Sequence, residues 1–258
     1  MTAPSLTYLV CATQRSGSTL LCKAIAATGV AGAPEEYFEA RHTTGRPPAP
    51  GDYGIDLDVK LPPAPAYSSL EGIDDYGDHL RRTLAAGTTP NGVFGAKVMY
   101  SQLPDITALA GAEAPGVFQR ILSREPRYVR VTREDRVGQA VSLWTALQTQ
   151  AWADHQEAGQ TPAYDFQAID HLVTWFGDQE HGWDGLLARH GIAPLQLTYD
   201  EIAADLQDTV RRVLVHLGLD PEAAEGVEAP MQRQGGGRAA EWAERYRREA
   251  GASVPRTA

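Results

Sequence analysis

In the segment Tyr8-Leu-Val-Cys-Ala-Thr-Gln14-Arg15-Ser16-Gly17-Ser18-Thr19 an apolar run breaks into a loop of small polar residues and then resumes with helical spacing. The hydroxyls of Ser16, Ser18 and Thr19 and the guanidinium of Arg15 are donors suited to anionic oxygens. A helix opening at such a loop aims unpaired N–H groups and the positive end of its dipole at the same place. The chemistry this points to is the holding of a phosphoryl or sulfuryl group. An NTP-hydrolysing phosphate loop carries Gly-Lys-Ser/Thr, with the lysine on the outer phosphates and the hydroxyl on magnesium. Here Ser18 stands at the lysine position and the basic residue, Arg15, precedes the glycine, which favours a terminal sulfuryl or phosphoryl group held without a dedicated metal ligand. Ser/Gly-rich turns open many ordinary helices too, so this loop alone does not decide the function.

A second candidate anion holder follows Arg133. That residue closes a predicted strand, and Gly138 and Ser142, four apart, share a face near the start of the next helix. The Gly235 to Gly237 run, flanked by Arg233 and Arg238, could close over it; an ordinary helix cap with a buried serine is a reading of at least equal weight. Two anion holders at strand ends suit a nucleotide charged at both its 5′ and 3′ positions. Glu35 and Glu36 read on their own as acids that complement a helix dipole. Lys97, within or at the end of a strand, could pair with a carboxylate or reach a leaving phosphate.

These groups need elements to carry them. Residues 6 to 12 predict a buried strand, and Leu20, Leu21, Ala24 and Ile25 a helix face that Gly29 closes. Pro34 with Glu35 and Glu36 predicts the first turn of a short second helix. From Arg41 to Ala66 the chain is dense in Pro and Gly, which predicts a long surface excursion of the kind that shapes a binding site. A helix over about 75–86, a turn at Asn91-Gly92 and a strand Val93–Met99 come next. The strand Tyr128–Thr132 leads into a helix carrying Val137, Val141, Trp144 and Leu147. A helical region 166–190, a strand Leu195–Tyr199, one helix carrying Ile202 to Leu217 and ended by Gly218, and a last helix with Trp242 and Tyr246 complete the series. Strands and helices alternating at these lengths predict an α/β fold whose mainly parallel sheet has helices on both faces, with ligands gathering at the strands' carboxyl ends.

At 258 residues and 43% hydrophobic composition the chain suits one large domain spanning 1–258. No apolar stretch approaches the about 18 residues of a membrane span, and Met1-Thr-Ala-Pro-Ser carries no secretory signature, so the expected location is the cytoplasm. Cys11 and Cys22 read as small buried hydrophobes, and no Cys/His set for a metal is completed. A net charge of -10 argues against a general nucleic-acid binder. An anionic ligand must then be held locally, and basic residues cluster between Arg120 and Arg136 and between Arg233 and Arg248.

In segments spread over most of its length the chain resembles the bacterial trehalose sulfotransferase family, whose founding member transfers sulfate to the 2-hydroxyl of trehalose. The matching stretches are Tyr8 to Leu21, Thr28 to Phe38, Thr89 to Lys97, Arg133 through Gln139, Ser142 and Trp144 to Thr149, and Glu241 to Arg248. The resemblance implies a P-loop-like three-layer fold and 3′-phosphoadenosine 5′-phosphosulfate as donor. It places the Gln14 to Thr19 loop on the phosphosulfate and Arg133 with Ser142 on the 3′-phosphate. It also makes Glu36 the base that takes the acceptor's proton, and it implies a homodimer; Arg15, placed to hold the leaving 5′-phosphate, and Lys97 are further catalytic candidates on their own chemistry. Sugar contacts carried over in the same way are Gln14, Ala33, Pro34, Glu35, Glu36, Tyr37, Phe38, Glu39, Pro48 and Tyr53. The Pro-rich loop after Phe38 departs from the family pattern, so the acceptor stays open between trehalose and the sugar of a glycosylated small molecule. Tyr53, Tyr67, Trp144 and Trp152 offer aromatic surface for it, although Trp144 at helical spacing reads first as core. A small-molecule kinase and a nucleotide-binding protein without turnover are the competing readings.

Overall fold

Alternate residues of the first strand, β1 (Leu6–Ala12), face two separate apolar cores. Tyr8, Val10 and Ala12 pack into one, Leu9 and Cys11 into the other, so this strand is covered on both faces as its continuous apolar run predicts. The structure is a computed structural model that describes residues 3–39, 47–56, 76–110, 114–152, 158–228 and 237–253. It divides into two compact units, Met1–Gly45 with Ser68–Glu134 and Gln179–Pro230, and Arg46–Tyr67 with Asp135–Asp178 and Met231–Ala258.

In the first unit Val93–Met99 (β2), Arg127–Thr132 (β3) and Leu195–Thr198 (β4) join β1 in a four-stranded sheet of order β2-β1-β3-β4 whose pairings are all parallel. Helices α1 (Ser18–Ala27) and α8 (Leu206–Leu217) cover one face through Leu21, Ile25, Val213 and Leu217. The other face is covered by α3 (Leu103–Ala110), α4 (Gly116–Leu122), α2 (Tyr76–Gly87) and the last turns of α6 (Phe166–Arg189). The unit is thus the three-layer, mainly parallel α/β arrangement expected. Strands lie on both sides of β1, so the strand order reverses there, and folds of this kind take ligands at the carboxyl ends beside such a point.

Three local expectations are corrected. No helix begins at Pro34: the backbone there runs beside β2, with Glu35 bridging Ala96 in parallel and the Lys97 N–H donating to the Glu35 carbonyl at 2.9 Å. The edge of β2 would otherwise leave backbone groups unpaired, and satisfying them outweighs one isolated turn of helix. Gly32, at φ 72°, makes this possible, since a Cβ there would stand 2.7 Å from the Gly95 nitrogen. The single helix expected over 202–217 is two, α7 (Tyr199–Ala204) and α8, because Asp205 is extended and accepts from the Asp208 N–H at 2.8 Å. Tyr199 opens α7 rather than ending β4: Thr198 and Glu201 form a capping box around the turn.

The second unit packs α5 (Arg136–Thr149), the first part of α6 and α9 (Gly237–Ser253) around Leu147, Ile169, Phe176, Trp242 and Tyr246. Trp144 is core, as its spacing suggested, and donates its indole N–H to the Ala163 carbonyl at 2.9 Å. Of the Pro-rich stretch, residues 47–56 are described and contain a short 3₁₀ turn, Pro50–Tyr53. Tyr67, Arg233 and Gly235 to Gly236 lie outside the described residues. Among those described, no helix is long and apolar enough to cross a membrane.

Candidate active site

The loop after β1 folds as the sequence predicts, and its conformation explains its composition. Arg15 (φ 60°) and Gly17 (φ 85°) are both left-handed, turning the chain back so that α1 starts at Ser18. Its N-cap, Gly17, has no side chain to cap it, which leaves its first N–H groups directed at the loop. Gly17 is required twice, for its φ and because a Cβ would lie 2.8 Å from Cδ2 of Tyr199. Ser16 is fully buried, and its Oγ has no hydrogen-bond partner among the described residues. A buried hydroxyl without a partner is costly, and an anionic oxygen seated in the loop would satisfy it. The loop therefore fits a sulfuryl or phosphoryl group.

Glu36 reaches this loop through Lys97. From β2, Lys97 Nζ lies 2.8 Å from Thr19 Oγ1, in the first turn of α1, and 2.9 Å from Glu36 Oε1. The lysine side chain is 3% exposed and the glutamate 24%. Burial works against the ammonium, but the charge and hydrogen bond of Glu36, with lesser help from Cys22 and Glu35, hold it above its ordinary value. Glu36 Oε2 accepts from Gln102 Nε2 at 2.7 Å, and Gln102 Oε1 accepts from the Met99 N–H at 2.9 Å. A carboxylate, a buried cation and a neutral amide thus converge at the carboxyl end of β2, next to the start of α1.

The end of β3 meets the loop from the other side. Arg133 donates to the Arg15 carbonyl at 3.0 Å, and its guanidinium lies 4.3 Å from the centroid of the Tyr199 ring, which also covers Gly17. Gln14 donates to Ser101 Oγ at 3.0 Å, and Thr13, just before it, to Glu180 Oε1 at 2.8 Å. Glu180 in turn pairs with the fully buried Arg130 of β3, and Trp183 donates to the Ala12 carbonyl at 2.9 Å, so α6 fixes the point where strand becomes loop. Carboxyl ends of all four strands contribute.

The first unit brings together Gln14 to Thr19, Glu36, Lys97 and Arg133. In the segment 33–39, Pro34 and Phe38 are buried, Phe38 in the core, and Glu39 is 5% exposed. Tyr37 donates to the Ala33 carbonyl at 2.7 Å and Glu35 is exposed. In the second unit Ser142 is half-buried on α5, whose cap Asp135 accepts from the Gly138 N–H at 3.0 Å, and Arg238 is exposed at the start of α9. There too the Pro48 carbonyl accepts from Gln150, and Tyr53, 4% exposed, packs edge-on to Trp175. Gln102 and Tyr199 are the site residues that sequence reasoning missed. Position was their signal: Tyr199 ends one predicted strand and Gln102 follows another by three residues, where ligand-facing groups gather.

The sequence profile of the Stf0 sulphotransferase family matches residues 7–249. A trehalose 2-sulfotransferase of Mycobacterium tuberculosis is 38% identical over 94% of this chain and 95% of its own length. One of Mycolicibacterium smegmatis is 33% identical over 94% and 95%. A sulfotransferase crystal structure from Alicyclobacillus acidocaldarius shares the fold, with a TM-score of 0.50 at 15% identity over 96% of this chain and 91% of that one.

Proposed function

The chain belongs to the Stf0 sulfotransferase family, and we propose that it moves a sulfuryl group from 3′-phosphoadenosine 5′-phosphosulfate to a sugar hydroxyl. Trehalose is the first acceptor to test, given the two relatives' activity, and the sugar of a glycosylated small molecule the second. The observation that carries this reading is the chain of contacts from Thr19 through Lys97 to Glu36, which sets a proton acceptor beside an anion-holding loop. The unpartnered Ser16 Oγ supports the placement of the donor's phosphosulfate in the loop.

In this reading Glu36 takes the proton of the acceptor hydroxyl. The acceptor oxygen forms a bond to sulfur in line with the breaking bond to the 5′-phosphate, and adenosine 3′,5′-bisphosphate leaves with the electron pair. Arg15, Ser16, Ser18, Thr19 and the start of α1 bind the charge on the leaving side, and Lys97 offers a cation between that side and the base. Positioning and fixed donors facing the charge that builds on the bridging oxygen lower the barrier, as in phosphoryl transfer. Arg133, Ser142, Arg233 and Arg238 are assigned to the 3′-phosphate on sequence grounds, as are the sugar contacts, and the resemblance carries a homodimer as well.

The test is a transfer assay with labelled donor against free sugars and glycosides, read by mass gain. A gain of one sulfuryl group on trehalose or a glycoside is expected. General-base help is worth about 10²- to 10⁴-fold, so Glu36→Gln loses that much turnover while adenosine 3′,5′-bisphosphate still binds. Magnesium-dependent consumption of ATP, with no transfer from the sulfate donor, would overturn the proposal in favour of a kinase.

A further inference from the structure

We propose that Gln102 is a positioning residue for the proton transfer, one that joins Lys97 in holding the Glu36 carboxylate to the end of β2. The inference rests on the reading of Glu36 as the base. Gln102 closes the 3₁₀ turn Tyr100–Gln102 and is 6% exposed. Its amide orientation is settled by chemistry: the Met99 N–H can only donate, so the oxygen of Gln102 must face it and the NH₂ must face Glu36. One end of this side chain is thus anchored to the strand backbone and the other to the carboxylate.

That anchor matters because of where Glu36 sits. Its segment is not a helix; it meets β2 through Glu35, and a carboxylate 24% exposed on such a segment needs side-chain contacts to keep its direction. Lys97 holds Oε1 but also bonds to Thr19, beside the donor's place, so it cannot fix the carboxylate plane by itself. Gln102 supplies the second point on Oε2. A neutral amide orients the carboxylate without adding a second cation, which would stabilise the charged form further and blunt it as a base. A general base works only when held within hydrogen-bond reach of the proton it takes. Among the described residues, Lys97 of β2 pairs with Glu36, and Cys22 of α1 and the neighbouring Glu35 lie near enough to act on the same pair.

The experiment compares wild type, Glu36→Gln, Gln102→Glu and Gln102→Met in sulfuryl-transfer rates across pH, with melting temperature and calorimetric binding of adenosine 3′,5′-bisphosphate on each. Gln102→Glu keeps the shape and the acceptor for Met99 while replacing the neutral amide donor with a second carboxyl group against Glu36, so it tests the contact even if Gln102→Met fails to fold. The expected result is a fall in kcat of about 10-fold or more at neutral pH for Gln102→Glu, with nucleotide affinity unchanged. The acid limb of its rate profile should move up by about one pH unit. Gln102→Met should show a smaller movement in the same direction. Wild-type kcat in both Gln102 variants, or a loss that is uniform with pH and leaves the acid limb in place, overturns the inference while an inactive Glu36→Gln keeps the base. Full activity in Glu36→Gln overturns the base reading, and this inference falls with it.

Discussion

Lys97 and Glu36 form an ion pair at 2.9 Å in which the cation is buried and the anion partly open. The lysine's burial is sustained by that carboxylate, so the pair contributes to stability as well as to the site. Removing the charge of Glu36 leaves an ammonium that is 3% exposed without its main counter-charge. Breaking a fully buried pair costs about 3–5 kcal/mol, and with Glu36 partly solvated the loss for Glu36→Gln should be nearer about 2 kcal/mol. Adding Lys97→Met to Glu36→Gln removes the stranded cation and should recover most of this. Urea unfolding of the two single variants and the double variant gives the coupling directly; strictly additive effects would show that the pair is not what holds the lysine.

Among the groups that shape the dependence of stability on pH, His216 and Lys97 act from opposite ends. His216 is held below its ordinary 6.5 by burial and then by the nearby Arg127 charge, so the unfolded chain binds the proton first as pH falls. Its contribution is complete above 6.5 and is lost as pH falls through the folded-state value. Lys97 is held above its ordinary 10.5, so its contribution is complete below 10.5 and is lost as pH rises through the folded-state value. Melting temperature should therefore hold a plateau between neutral and mildly alkaline pH and fall on both sides. His216→Asn should make the acid side less steep and Lys97→Met the alkaline side, where the buried Cys11 and Cys22 also contribute; unchanged slopes would assign the losses to other groups.

What could be read in advance follows from the range of the forces involved. The loop at Gln14 to Thr19 was legible because strand, turn and helix start are all local there, and Gly17 and the hydroxyls have few other uses at that spacing. The layering of the sheet was legible for the same reason, since the apolar run 6–12 and the helix face Leu20 to Ile25 carry their own periods. The path of residues 33–39 was not, because Pro34 and two acids look like a helix start until the unpaired edge of β2 is present to compete. Gln102 was hidden too: its partners, Met99 and Glu36, lie three and 66 positions away, and only pairing between β2 and the 33–36 segment brings them together.

Both thiols should be inert in the native protein. Cys11 and Cys22 are free and buried, and burial pushes each up to about 12, against opposing help from Arg130 and Lys97 respectively. Since the thiolate is the reactive form, an aromatic disulfide reagent at pH 8 should label neither in the folded chain and both in denaturant. Rapid labelling of either native thiol would mean that the sheet face carrying it opens far more readily than its packing implies.

Gly17→Ala should separate two costs at the donor loop. A left-handed backbone at φ 85° penalises any Cβ by about 1–2 kcal/mol, whatever surrounds it. The second cost is steric, because the new methyl would press on the Tyr199 ring, with a contact of 2.8 Å to Cδ2, and so displace the aromatic surface on which Arg133 rests. The first cost belongs to the loop and the second to its cover. In wild-type background Gly17→Ala should lower both melting temperature and affinity for adenosine 3′,5′-bisphosphate. In a Tyr199→Ala background the steric part is gone, so the same substitution should cost only the backbone part, and its effect on affinity should shrink by about 10-fold, which corresponds to about 1.4 kcal/mol. An equal penalty in the two backgrounds would show that Tyr199 yields freely and that the glycine is needed for its backbone alone.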